Sequence, residues 1–282
     1  MSDYQLNLLT DQDRERLNLI EDSLKNFETL VKESVRKRDS LNSNLLLIRG
    51  KPGIGKTYLT TSWLDDLVSD SVIDKYYRIS GKITPVTLYQ FLDAPTEFQG
   101  KCVHVLDDCD VFYSLESLNI LKSASELRSG DKTARRDVCY GARGIVSSYS
   151  YKDVIIIITN HDLMAQKNEH VTAVLDRALY LELPITKQDI FVYTTALIEK
   201  TLNDGMFSDS TKQYVHLYYE QYLKRFHEYD IFAETGVNFS LRYVLKIIDL
   251  FTIFGVNWMN SSIEFKKMNE ALNRKLTEGK KK

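Results

Sequence analysis

Apolar positions along this chain follow two rhythms. Leu17, Ile20, Leu24, Phe27 and Val31 recur every three or four residues, the spacing that lines one face of a helix. With Thr10 as N-cap they predict an amphipathic helix over 11–38. The rhythm then turns to short apolar runs: LLLI at 45–48, KYYRI at 75–79, CVHVL at 102–106, VIIII at 154–158 and LYLEL at 179–183. Each has the length of a strand. Helical segments fall between them, over 57–68, from Thr84 to about Leu92, and over 115–125. Thr84-Pro85 supplies an N-cap followed by Pro at the first helical position. Continuous apolar strands alternating with helices predict a parallel sheet covered on both faces.

After Pro184 the pattern changes. Helical spacing continues over 187–202, 209–227, 240–254 and 261–276, with no strong strand. The expected organisation is an N-terminal helical segment (1–43), an α/β core (44–185) and a helical domain with a basic tail (186–282).

Composition narrows the function classes. The 282 residues are 43% apolar and 27% charged, with a net charge of −2. That suffices for a sizeable core and gives no bulk attraction to nucleic acid or anionic lipid. Any such binding must come from local patches. Cys102, Cys109 and Cys139 show no metal-ligand or CxxC spacing, which points to a reducing, cytoplasmic setting. The longest apolar run, Val154–Ile158, is too short to span a bilayer, and the N-terminus lacks a signal-peptide pattern.

Chemistry concentrates in three places. First, GKPGIGKT (50–57) fits G-x-x-x-x-G-K-[ST] between a predicted strand and a predicted helix. Gly50, Gly53 and Gly55 let backbone amides approach phosphates, and the following helix N-terminus adds positive potential. Lys56 can reach the β- and γ-phosphates, and the Thr57 hydroxyl can coordinate Mg²⁺. Second, VHVLDDCD (103–110) places two carboxylates at the end of a buried strand, the edge where ligands bind in α/β sheets. Asp107 is the candidate for holding Mg²⁺ through water, and Asp108 for orienting or deprotonating the attacking water. Asp110 is read as a solvated turn residue. Third, VIIIITNHD (154–162) ends a strand in Thr159-Asn160. The Asn160 amide can hold the attacking water and the γ-phosphate together.

With these elements in this order the chain resembles the AAA+ ATPases, over roughly residues 40–260. The resemblance implies a three-layer αβα P-loop NTPase core with a five-stranded parallel sheet and a C-terminal all-α lid. It implies Mg-ATP bound through residues 50–58, Pro52, Ile54 and Tyr58 included. In VLDRALYLELP (174–184) Arg177 matches the family's arginine finger. In NFSLRYVLKII (238–248) Arg242 matches its second sensor, at the start of the lid helix. A guanidinium suits both roles because its planar fork contacts phosphate oxygens bidentately. A finger acting on a neighbour's ATP implies a homo-oligomeric ring, a hexamer or pentamer, or a filament.

The arrangement with GKIT, DDCD and SLNILKSA is similar to AAA+ proteins of large tailed bacteriophages, which would place the chain in a host cytoplasm. There are departures from the family pattern. SGKITP (80–85), with Lys82 and Ile83, stands where protein-threading members carry an aromatic-apolar-Gly trio. Asp108 replaces the commoner Glu; its shorter reach allows slow hydrolysis, and the Asp-Asp pair resembles the replication-initiator and helicase-loader branch.

The segment 122–151 carries Lys122, Arg128, Lys132, Arg135, Arg136 and Arg143 without clear periodicity. It is expected to be a long functional loop, in which basic residues and Tyr140, Tyr149 and Tyr151 grip a phosphate backbone and stack bases. The resulting expectation is a ring-forming ATPase driving a nucleic-acid transaction: helicase loading, clamp loading or DNA processing. The alternatives are an ATP-driven remodeller or assembly switch acting on a protein partner, and a nucleotide-binding subunit without turnover.

Overall fold

Five of the apolar runs form one sheet. The computed structural model describes residues 7–93, 100–126, 136–142, 145–165, 167–183, 185–204, 207–237 and 239–279. They divide into two compact units, residues 23–184 and the described residues of 1–22 with 185–282.

In the first unit the strands are β1 (Leu45–Arg49), β2 (Lys75–Ser80), β3 (Cys102–Asp107), β6 (Val154–Thr159) and β7 (Ala178–Glu182). They pair in the order β2-β3-β6-β1-β7, every pairing parallel. β3 and β6 are buried along their whole length, as continuous apolar strands require. Helices α2 (Lys56–Ser69), α3 (Pro85–Asp93), α4 (Leu115–Ala124) and α5 (Glu169–Leu175) connect them. One sheet face, through Leu45, Leu47, Ile155 and Ile157, packs with Leu88, Leu121 and Val171 of α3, α4 and α5. Helix α1 (Asp11–Arg36) stacks Phe27 against Trp63 of α2 at 5.9 Å between ring centroids. Lys32 and Arg36 of α1 pair with Asp66 and Asp70.

The expected irregular loop over 122–151 is corrected. β4 (Arg136–Ala142) and β5 (Ile145–Tyr151) form an antiparallel hairpin. Val138 and Tyr151 are buried, and the Tyr149 hydroxyl donates to the Tyr89 carbonyl at 3.3 Å. Tyr140 and Tyr149 lie against the Tyr89 ring at 5.5 and 4.8 Å. Tyr151 is therefore closed to base stacking, and Tyr149 is taken up in packing. Arg136 donates to the carbonyls of Glu126 and Asn42, at 3.0 and 3.1 Å. The two-residue alternation of RDVCYGA and IVSSYSY was present in the sequence, hidden by the surrounding basic residues. Arg128, Lys132, Arg135 and Arg143 lie outside the described residues.

The second unit is helical among its described residues: α6 (Lys187–Asp204), α7 (Asp209–Tyr218), a π-helical turn (Tyr219–Leu223), α8 (Lys224–Glu228), α9 (Ile231–Thr235), α10 (Leu241–Phe254), α11 (Asn257–Ser261) and α12 (Ile263–Gly279). Ser208 and Ser240 cap α7 and α10 by accepting from the amides of Thr211 and Tyr243. Tyr218, Phe226, Phe251, Trp258 and Phe265 fill the core. Glu199 of α6 ties in the chain's start, accepting from the Leu8 amide at 2.7 Å and pairing with Arg14 at 3.0 Å. Among the described residues, no helix is long and apolar enough to cross a membrane.

Candidate functional site

The site is assembled at the C-terminal edge of the sheet. β1 ends at Arg49 and the chain turns through 50–55 into α2. Gly50 is there for space: a Cβ would lie 2.8 Å from Ile54 Cδ1 and 3.2 Å from Leu183 Cβ. Gly55 is there for backbone: it caps α2 at φ 85°, a region side chains disfavour. Ile54 is buried beneath the turn, while Tyr58 is 74% exposed and Pro52 is exposed.

Lys56 is buried. Its ammonium donates to the carbonyls of Gly50 and Lys51, each at 2.9 Å, and to Asn160 Oδ1. The next residue, Thr57, donates its hydroxyl to Asp107 Oδ1 at 2.8 Å. Asp107, the last residue of β3, is buried and pairs in register with Ser80 of β2 and Ile158 of β6. Asp108 leaves the strand at φ 49°, a left-handed conformation that Asp tolerates better than most residues. Its amide donates to the Ile158 carbonyl at 2.9 Å. Its carboxylate accepts from Asn160 Nδ2 at 2.8 Å on both oxygens. Two connected sets result: Lys56, Asn160 and Asp108, and Thr57 with Asp107.

Three further residues were not picked out from sequence. Arg78 Nε lies 3.6 Å from Asp107 Oδ2. Arg49 pairs with Asp162, two residues past Asn160, at 2.9 Å and with Glu182 at 3.2 Å. Cys109 is buried beside the acids; burial pushes its thiol up to about 11, so it stays protonated and is a poor metal ligand. Asp110, expected to be a solvated turn residue, instead accepts from the Ile83 amide at 3.1 Å and is half-buried.

Two candidates remain. Arg177 lies between α5 and β7, folded back on its own unit. It donates to the Ala173 carbonyl at 2.6 Å and pairs with Glu126 at 3.3 Å. Its Nε is buried without a hydrogen-bond partner. Arg242 is exposed in the first turn of α10, in the helical unit.

The donor set fits a magnesium nucleotide. Thr57 and Asp107 offer hard oxygens of the kind Mg²⁺ takes, leaving room for waters and phosphate oxygens. Among the described residues no cluster of three or more His, Cys, Asp or Glu forms an all-protein metal cage. The cradle a Cβ would fill at Gly50, and a buried ammonium donating to the Gly50 and Lys51 carbonyls, suit an anion.

The architecture is thus a three-layer αβα P-loop core with a five-stranded parallel sheet, followed by an all-helical region. No protein-family model matches the chain. The chain is similar to an uncharacterized 36.7 kDa protein from the nrdC-mobD intergenic region of Enterobacteria phage T4, at 32% identity over 177 residues. That match covers 57% of this chain and 52% of the phage protein, about half its length. Similar solved structures include a DNA replication initiation factor, with 14% identity, 86% of this chain and 62% of that chain covered, and a TM-score of 0.40. They also include the replication initiator DnaA bound to AMPPCP and single-stranded DNA, with 13% identity, 93% and 68% covered, and a TM-score of 0.43. A third is Cdc6p from Pyrobaculum aerophilum, with 13% identity, 74% and 54% covered, and a TM-score of 0.38.

Proposed function

We propose that this chain is an AAA+ ATPase that binds Mg-ATP on residues 50–58 and hydrolyses it at a subunit interface, in a ring or filament, to drive a nucleic-acid transaction. The observation that carries the reading is the bonded set Lys56–Asn160–Asp108 beside Thr57–Asp107. Five residues from three separate stretches converge on one sheet edge, which supports a phosphoryl-transfer site there.

The roles follow from the contacts. Lys56 is held over the glycine turn and would hold the terminal phosphates. Thr57 and Asp107 would hold Mg²⁺, which when bound supplies charge neutralisation on the phosphate oxygens. Asp108 is the general base for water, and the Asn160 amide fixes its carboxylate from both oxygens. Arg177 from a neighbour would add charge stabilisation at the transferred phosphoryl group.

A second reading has its own observation. Arg136 and Tyr149 are engaged in packing and Tyr151 is buried, which thins the basic, aromatic surface expected for nucleic acid. That favours an ATP-dependent assembly switch or remodeller acting on a protein partner. Phosphate release with and without single-stranded DNA, at two salt concentrations, separates the two. The nucleic-acid reading expects stimulation that weakens steeply with salt. No stimulation by DNA or RNA at low salt would exclude it and leave the protein partner.

A further inference from the structure

Asp107 divides its two oxygens. Oδ1 accepts the Thr57 hydroxyl, and Oδ2 faces the Arg78 guanidinium at 3.6 Å. The contact follows from strand register. β2 and β3 run parallel with Arg78 opposite Val105 and Ser80 opposite Asp107. Residues two apart on a strand share a face, so Arg78 sits diagonally from Asp107 on the same face, within reach of a long side chain. The two partners differ in exposure: the Asp107 side chain is 8% exposed and that of Arg78 is 44% exposed. β2 is also the edge strand of the sheet, so the guanidinium has open solvent to move into.

We infer that Arg78 is a positioning residue for Asp107, a built-in counter-cation that holds this carboxylate while no divalent ion is bound and must swing aside when one arrives. A buried carboxylate is costly without a partner, and Arg78 supplies that partner in the ion-free state. A divalent cation approaching the same carboxylate meets a like charge and displaces it. Arg78 therefore makes the empty site more stable and the loaded site weaker. It also joins the metal-binding acid to the strand that leads into residues 80–85. The inference rests on reading Thr57 and Asp107 as the metal-binding pair.

Two opposite effects mark this role. A merely structural arginine, when neutralised, would lower stability and leave ion affinity alone. A phosphate-contacting arginine would, when neutralised, weaken nucleotide binding. A displaced counter-cation would, when neutralised, tighten the divalent ion. The test is a Mn²⁺ titration followed by electron paramagnetic resonance, with ADP present, on the full chain. Wild type is compared with Arg78→Gln, Arg78→Lys and Asp107→Asn.

The expected result is a half-saturating Mn²⁺ concentration about two- to fivefold lower in Arg78→Gln, the range for a half-exposed ion pair. Arg78→Lys should stay near wild type, and Asp107→Asn should bind several-fold more weakly. Arg78→Gln equal to or weaker than wild type, with Asp107→Asn weakened, would overturn the inference and leave the site reading standing. No Mn²⁺ uptake by wild type, or Asp107→Asn equal to it, would remove the site reading and the inference together.

Discussion

Asn160 is the residue on which the site turns. Its side chain touches Lys56 through Oδ1 and the candidate base Asp108 through Nδ2, so one amide relates the two. An Ala there leaves the glycine turn and the Thr57–Asp107 pair intact. Asn160→Ala should therefore bind nucleotide within a few-fold of wild type and lose about 10²–10³-fold in kcat, the range for one preorganised donor. Single-turnover hydrolysis alongside equilibrium nucleotide binding checks it; a comparable loss in both would make Asn160 a binding residue. Lys56, Thr57, Asp107, Asp108 and Asn160 were picked out from sequence because each motif is local, and the structure brings them together on one sheet edge. Arg78, Arg49 and Asp110 could not. Each contact depends on which strand or loop lies alongside, and that order is not written in local spacing.

Among the elements, β3 carries a second polar residue with a different task. His104 is fully buried. Its Nδ1 meets the Tyr151 hydroxyl at 2.8 Å, its Nε2 has no hydrogen-bond partner, and its ring packs on Tyr77 and Phe91. It anchors the β4–β5 hairpin to the sheet. Burial pushes its pKa down to about 4, against an unfolded value near 6.5. The folded state keeps His104 neutral where the unfolded chain takes up a proton. This part of the stability is therefore complete above pH 6.5 and falls as pH drops toward 4. Between pH 7.5 and pH 5 the loss assigned to His104 is roughly 2 kcal/mol. Urea unfolding at both pH values should show it, and His104→Gln should flatten the difference by that amount; equal pH dependence in the two proteins would contradict it.

The strands and long helices were legible for the reason that periodicity works: β3 and β6 are buried on both faces, and α1 has one apolar stripe. The hairpin was missed because its alternation is short and framed by charged residues.

At the scale of the molecule, the chain comprises an α/β unit and a helical one, and the proposed chemistry needs a neighbour. Arg177 is engaged with Ala173 and Glu126 of its own unit. If it serves a neighbouring site, it must leave a half-exposed ion pair of modest strength, worth at most about 1 kcal/mol. The expectation is that wild-type specific activity rises with protein concentration. Arg177→Ala should keep nucleotide affinity while losing that rise and about 10³-fold or more in rate. Activity independent of concentration, with Arg177→Ala reduced only in thermal stability, would make Arg177 a structural residue. Motif order alone suggests this division of labour; the contacts that would test it would lie between copies of the chain, where sequence spacing carries no signal.

This sheet edge is proposed to hydrolyse Mg-ATP. Its most direct test is steady-state phosphate release by the purified full chain, with Mg²⁺ and with EDTA, for wild type and Lys56→Ala at the same protein concentration. Release should require Mg²⁺ and fall at least about 10²-fold in Lys56→Ala, since the glycine turn places this buried ammonium where terminal phosphates would sit. Equal release from the two proteins, or release indifferent to EDTA, would contradict it.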